Sequence, residues 1–376
     1  MRLDREPLHE RQISRRALFA AGAGLGAAGL LAWVGPHPVS PASGRTGDPA
    51  LLARVEPYLG GLNRVALAFL DGDVTRFAGI GADEMTVFEI GSVSKTFCGA
   101  VLMDMVASGE VALDTTVGEL VDASGSELAD VTLRELASHT SGLPDFTPAQ
   151  AGSRNTWFGL LHADGARQDA ADTVSDVLAQ SLGPRGEYSY STAGIALLAH
   201  LLADRAGTSY QQLLAQRILT PLSLADTHLP VTREGLPAGW EKGLLGGRPA
   251  EPWTLNGLAP GGGMWSTSRD LSTWMRLTRD GQQPGSAGLD PVAPAPILPW
   301  MPDAQIAITW ALATTVGGED LIFHSGLTGS HHSYVGYSPS TGRGLAYVVN
   351  SAPTGAQLVR LQGDLVSTLL DGGAST

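Results

Sequence analysis

Apolar and polar positions follow two periods along this chain. Leu51 to Tyr58 reads as a short helix, and Arg64 to Leu70 and Val74 to Ile80 read as strands joined by a hairpin at Asp71-Gly72-Asp73. From Ser92 to Ala107, Val93, Phe97, Val101 and Met105 recur at every fourth position, the spacing of a helix with one buried face, and Gly109 closes it. Helical patterns continue at Leu133 to Ser138, Ala193 to Ala206, Gln211 to Ile218 and Arg269 to Leu277, with no convincing strand between them. Strand character returns at Ile306 to Leu312, Asp320 to His324, Ser333 to Tyr337 and Leu345 to Asn350, before an amphipathic helix around Ala356 to Leu370.

Strands near both chain ends around a helical middle predict an α/β chain of the α+β kind. One antiparallel sheet, flanked by terminal helices, is built from residues 48–90 and 305–376, and a helical lobe over 91–304 is inserted into it. Three stretches lack a pattern: Asp145 to Thr173, Leu236 to Asn256, and the proline-rich Gly281 to Asp303. Loops of that length read as functional rims.

Composition narrows the function. With 43% hydrophobic and 16% charged residues the chain can build a large core, and its net charge of −13 offers no clustered cations for phosphate backbones. Nucleic acid is not expected as a partner. The single cysteine, Cys98, rules out an intramolecular disulfide and any zinc site built from several thiolates.

Arg2, Arg5, Arg11, Arg15 and Arg16 precede Ala17 to Val34, an uncharged stretch of 18 residues, which reads as an export signal with Ser40-Pro41-Ala42 as its cleavage site. Ser14-Arg15-Arg16-Ala17-Leu18-Phe19 resembles the twin-arginine signature, with Leu and Phe swapped and Ala20 where Lys is frequent. An uncleaved membrane anchor is the competing reading, because a helix of that length only just spans a hydrocarbon core of ~30 Å, and the glycine content argues against it. Residues 1–42 are thus expected to be a leader and 48–376 the working domain, placed outside the cell or in its envelope. Gly24-Leu25-Gly26-Ala27-Ala28-Gly29 fits G-x-G-x-x-G, but it follows an arginine-rich segment rather than a strand, so no nicotinamide cofactor is expected.

The chain has just two lysines, Lys95 and Lys242, and the first stands three residues after Ser92. On a helix starting there the two share a face, so a lysine whose pKa is depressed by desolvation can take the serine's proton. The helix N-terminus favours the negative charge that develops. S-x-x-K alone is a weak signal, since a serine cap followed by a lysine is an ordinary helix start. Its surroundings, Phe88-Glu89-Ile90-Gly91-Ser92-Val93-Ser94-Lys95-Thr96-Phe97, resemble the active-site segment of the serine β-lactamase and penicillin-binding protein superfamily. Leu136 to Pro144 (LASHTSGLP), Tyr188 to Leu198 and Ala259 to Leu271 (APGGGMWSTSRDL) resemble further family motifs in order and spacing. The likeness covers about residues 50–370 and is greatest to the branch of class C β-lactamases, D-alanyl-D-alanine carboxypeptidases and related esterases.

This resemblance implies a β-lactamase/transpeptidase-like fold with Ser92 as acylated nucleophile and Lys95 as its base. It implies that Tyr190 exchanges protons with the serine and the leaving group, which a phenol does near neutral pH only if adjacent cations lower its pKa. His324-Ser325-Gly326 takes the place of the family's third motif. β-Lactamases of this branch usually have Lys-Thr-Gly there, and His is more typical of its peptidases and esterases. Gly326 admits close approach of substrate, and the amides of Ser92 and Leu327 would form the oxyanion hole, although Leu327 is bulky for that position. Where the family has Tyr-x-Asn this chain has Thr192, which lacks the amide that holds the lysine and the substrate carbonyl, unless Thr192 merely begins the helix that follows.

Other residues read as structural. His331-His332 lacks any metal-binding spacing and would point to opposite faces of a strand, so no metal is expected, and no cofactor of any kind. His139 is expected to order its Ser-Gly-Leu-Pro turn, and Cys98 to be a small buried apolar residue. No G-x-S-x-G elbow occurs, which removes the α/β-hydrolase alternative. The expectation is an exported, monomeric serine hydrolase acting on a small-molecule or peptide substrate: a D-amino-acid peptide first, an ester or β-lactam otherwise. Association with the cell wall follows from such a substrate. A non-catalytic penicillin-binding or scaffold protein that keeps the fold is the alternative from another class.

Overall fold

The computed structural model describes residues 39–152 and 168–371. Its strands are, in chain order, β1 (Arg45–Gly47), β2 (Val65–Asp71), β3 (Val74–Ile80), β4 (Phe88–Glu89), β5 (Leu244–Leu245), β6 (Arg248–Pro249) and β7 (Trp265–Ser266). There follow β8 (Ala293–Pro294), β9 (Gln305–Ile306), β10 (Ala311–Thr314), β11 (Asp320–Leu327), β12 (His332–Tyr337) and β13 (Arg343–Val349). The helices that matter to the site are α1 (Pro49–Val55), α2 (Ser94–Ala107), α3 (Leu133–Ala137), α4 (Ala170–Leu178), α5 (Thr192–Arg205), α6 (Tyr210–Leu214) and α7 (Ser268–Arg279). A C-terminal helix, α8, runs through Gly355–Leu358, a π-helical stretch Val359–Leu365, and Val366–Leu370.

Nine strands form one antiparallel sheet in the order β1-β3-β2-β13-β12-β11-β10-β9-β8. The chain ends meet in its middle, where β2 pairs with β13 from Val65 opposite Val349 to Asp71 opposite Arg343. Side chains alternate across that seam: Leu345, Tyr347 and Val349 pack outward with Leu51, Val55, Leu365 and Leu369 of α1 and α8. Ala346 and Val348 face the helical lobe. The sheet is therefore covered on both sides, and its central strands are apolar on both faces.

The β2–β3 hairpin turns at Gly72, whose φ of 60° is the left-handed conformation that such tight turns require. The expected strand Ile306 to Leu312 is instead a hairpin. Thr309 has a φ of 60°. The Ala307 N–H reaches the Trp310 carbonyl at 2.8 Å, so β9 and β10 run antiparallel to one another. The middle of the chain does contain short strands, β5 to β8, contrary to expectation; each has two residues, too few for a periodic signal. Helix α4, capped by the Asp169 side chain on the Asp172 N–H, begins inside the stretch read as patternless. Residues 153–167 of that stretch lie outside the described residues.

Helix α2 departs from its expected single buried face. Every residue from Ser94 to Met103 is buried, because α2 is the central element between the sheet and the other helices. Phe97 stacks on Trp274 of α7 with ring centroids 4.2 Å apart, fixing α2 against the helix that crosses the sheet. Among the described residues no helix is long and apolar enough to cross a membrane. The export-signal stretch and its G-x-G-x-x-G fall on residues 1–38, outside the described residues.

Candidate active site

Ser92 lies between the sheet and the helical lobe, on a segment held by its neighbours' backbones. β4 pairs with β7, and the Ile90 N–H donates to the Met264 carbonyl at 3.0 Å. Gly91, at a φ of 50°, turns the chain into a single 3-10 turn, Gly91–Val93, that leads into α2. Ser94 locks this corner: its hydroxyl donates to the Gly91 carbonyl at 2.6 Å and accepts the Met264 N–H at 3.1 Å. Ser92 is left half-buried at the helix start, and Lys95, one turn on and fully buried, places Nζ 3.2 Å from its Oγ.

The three donors of the Lys95 ammonium are all taken. Besides Ser92 they reach the Thr192 Oγ1 at 3.2 Å and the Gly261 carbonyl at 2.5 Å. Nζ also sits 4.7 Å from the centroid of the Tyr190 ring. Burial lowers the Lys95 pKa to about 8, with the charge of Asp145 pulling the other way. A substantial fraction is then neutral amine at mildly alkaline pH, able to accept a proton from a hydroxyl in contact with it.

Tyr190 and Thr192 arrive on the segment before α5, which His139 shapes. His139 itself has a φ of 58°, its carbonyl accepts the Ser189 N–H at 2.7 Å, and its Nδ1 accepts the Ser191 N–H at 3.1 Å. Burial holds this imidazole neutral, well below its ordinary range. The Tyr190 ring packs 4.5 Å away and lines the groove together with Ser92. Burial, then the charge of Asp145, push the Tyr190 pKa well above its ordinary value. The expected depressed phenol is thus corrected to a neutral phenol able to hand on a proton.

Thr192 does not cap α5. The cap is Ser191, whose side chain accepts the Gly194 N–H at 2.9 Å, so the Thr192 side chain is free to face Lys95. Its backbone N–H donates to the Asp145 carboxylate at 3.0 Å.

The opposite wall is β11. A Cβ on Gly326 would come 2.0 Å from the Ile90 carbonyl, and one on Gly91 would come 2.8 Å from the Leu327 nitrogen. Only glycines let this strand lie against the Ser92 segment and bring the Leu327 amide beside it. The Ser333 hydroxyl adds a clamp, donating to the Ile90 carbonyl at 2.6 Å. His324 turns toward the groove with Nδ1 donating to the Ser325 carbonyl at 2.8 Å. Burial, then the Lys95 charge, lower its pKa to about 3, so it is a neutral ring with Nε2 left as an acceptor.

One groove gathers Ser92, Tyr190, Thr192, His324, Ser325, Gly326 and Leu327, and continues over Trp253, Leu255, Ile297, Ile306 and Phe323. Its walls are mostly apolar, and Asp145 stands among them. Asp145 and Gly261 are the site members that motif reading passed over. Each had a signal: Asp145 is a carboxylate directly after the Ser-Gly-Leu-Pro turn, and Gly261 lies in a run of three glycines. His331 and His332 point to opposite sides of the sheet, the first against Glu89 and Trp265, the second against Gln362 and Tyr347. The Cys98 thiol is buried and its pKa is pushed up to about 12, as befits a small core residue.

A sequence profile of the family described as Beta-lactamase matches residues 53–366. The chain is 28% identical over 318 residues to penicillin-binding protein 4 of Amycolatopsis lactamdurans, covering 75% of this chain and 79% of that protein. It is 26% identical over 234 residues to the D-alanyl-D-alanine-carboxypeptidase/endopeptidase AmpH of Escherichia coli strain K12, a match that spans 58% of each. A solved structure of a beta-lactamase/D-alanine carboxypeptidase from Pseudomonas syringae shares the fold, with a TM-score of 0.69 at 16% identity over 87% of this chain and 100% of that one.

Proposed function

Because this chain belongs to the β-lactamase family, whose members here are serine hydrolases, we propose that it works through an acyl-enzyme formed on Ser92. The observation that carries this is the 3.2 Å contact between Ser92 Oγ and a buried Lys95 Nζ at the floor of an open groove. Neutral Lys95 takes the hydroxyl proton as Oγ adds to the substrate carbonyl. The amides of Ser92 and Leu327 hold the oxyanion, and Tyr190 passes a proton to the leaving group. Water, activated by the same groups in reverse, releases the acyl chain.

The substrate class is a D-amino-acid peptide derived from the cell wall, in keeping with the names of the carboxypeptidase and penicillin-binding relatives. An ester is the second reading, and a specific contact favours it: the Thr192 hydroxyl is engaged with Lys95, and among the described residues that line the groove no side-chain amide stands there to clamp a peptide carbonyl. We place the protein outside the cytoplasm as a monomer, exported through its arginine-led N-terminal segment.

Incubation with excess penicillin or an activated nitrophenyl ester tests the chemistry. A mass increase mapped to the peptide holding Gly91 to Lys95, and lost in Ser92→Ala, is the expected result. A wild-type protein whose intact mass never shifts would overturn it. A panel of a chromogenic cephalosporin, a nitrophenyl ester and a D-alanyl-D-alanine peptide then ranks the substrates.

A further inference from the structure

We propose that Asp145 is a positioning residue for acylation: its carboxylate orients the Thr192 hydroxyl as an acceptor for Lys95 and serves as the counter-charge of the Lys95 ammonium. This rests on reading Ser92 as nucleophile and Lys95 as its base.

Asp145 is tied to the start of α5 through both its backbone and its side chain. Its carbonyl accepts the Ala193 N–H at 2.9 Å, and its carboxylate accepts the Thr192 N–H at 3.0 Å. The Thr192 side chain also acts on this carboxylate, lowering its pKa against the effect of burial. A threonine hydroxyl has one proton to give. Donated to Asp145, it leaves the oxygen lone pairs toward Lys95 Nζ, 3.2 Å away. A side-chain amide in this position would offer Lys95 its oxygen and keep its N–H groups for substrate. The Thr192–Asp145 pair supplies the first of those functions with two residues, and adds a negative charge.

Among the described residues that charge has no rival near Lys95. From its own helix Cys98 faces it, and burial keeps that thiol protonated. From the segment before α5 comes Tyr190, a neutral phenol, with Tyr188 beyond it also pushed up by burial. From the turn after α3 comes His139, and from β11 His324, both neutral imidazoles because burial and Lys95 disfavour a second cation. Asp145 is the remaining titratable neighbour and opposes the desolvation that drives Lys95 to lose its proton. Burial raises the carboxyl of Asp145, while Lys95 and Thr192, through its side chain and its backbone N–H, act to keep it ionised.

The pH dependence of kcat/KM on a nitrophenyl ester separates these roles. Asp145→Asn keeps an acceptor for Thr192 and removes the charge, so Lys95 gives up its proton more readily. The ascending limb should move to lower pH by about one unit, whereas Asp145→Glu should leave it near the wild-type position. Asp145→Ala should lower the plateau roughly tenfold, and much less so in a Thr192→Val background, because the two side chains act as one unit. An Asp145→Asn limb that does not move in a protein of unchanged melting temperature overturns the counter-charge. Equal losses from Asp145→Ala with and without Thr192 overturn the orientation. Ester labelling that survives Ser92→Ala would instead defeat the acyl-enzyme reading, so the two failures are distinct.

Discussion

The backbones of Gly91 and Leu327 touch: a Cβ on the glycine would lie 2.8 Å from the Leu327 nitrogen and 3.0 Å from its carbonyl carbon. The nucleophile and the strand amide proposed to hold the oxyanion are therefore set by one backbone contact, with no side chain between them.

Gly91→Ala meets both that clash and a φ of 50°, a conformation that costs a non-glycine residue about 1–3 kcal/mol. The melting temperature should fall, and acylation by an activated ester should fall more than tenfold even where the variant is fully folded. Thermal unfolding and stopped-flow acylation on the same sample measure the two effects.

Lys95 acts as a base only when neutral, and its pKa stands at about 8. The kcat/KM profile should therefore rise with pH and level off above that value. Lys95→Ala should remove the limb and slow acylation by ~10² to 10⁴. A profile flat between about pH 6 and pH 9 in the wild type would exclude Lys95 as the base.

Thr192→Asn restores an amide at the position that now holds only a hydroxyl. Peptide cleavage demands more positioning and leaving-group protonation than ester cleavage. The amide-to-ester rate ratio should rise by roughly tenfold, the worth of one good hydrogen bond to a reacting group. Parallel kcat/KM measurements on a D-alanyl peptide and a nitrophenyl ester give the ratio.

Acid should destabilise the fold through its buried imidazoles. The pKa of His332 is lowered by burial to about 3 from 6.5, so between those values the unfolded chain takes up a proton that the folded chain refuses. Stability is present above the unfolded value and drains away as pH falls toward the folded one, by at most ~1.4 kcal/mol per pH unit for one group. His332→Gln should flatten that slope in denaturant titrations run between about pH 7 and pH 4.

The proposed export route depends on the paired arginines. Replacing Arg15 and Arg16 together with lysine should leave precursor inside the cell, detected by immunoblot of cell and medium fractions. Unchanged secretion would point to general export.

Legibility in the sequence followed the range of the interactions. Ser92 and Lys95 sit one helical turn apart, and β2, β3 and β11 to β13 are long enough to display their alternation, so local pattern sufficed for them. Helix α2 misled because a stripe of Val93, Phe97, Val101 and Met105 says nothing about what covers its other side; Ser94, Lys95 and Thr96 are buried by distant segments. The β9–β10 hairpin hid inside a run that is apolar but for Thr309, because its turn rests on that threonine, not on a glycine. Asp145 meets Thr192 across 47 positions, a contact no local pattern encodes.

The β2–β13 seam sets an order on synthesis. A chain growing on the ribosome has its nucleophile and its lysine within the first hundred residues, yet β2, paired at once with β3, must wait through more than 270 further residues for its second partner, β13. Until β11 to β13 have emerged, the Ser92 corner has no opposing wall, and the apolar outer face of the β2–β3 hairpin has no α8 to cover it. Closing so long a loop late makes the sheet slow to assemble and exposes its edges meanwhile. Hydrolytic capability is thus acquired in a single late event, and a chain cut short before residue 343 would carry the nucleophile and its base without the means to use them.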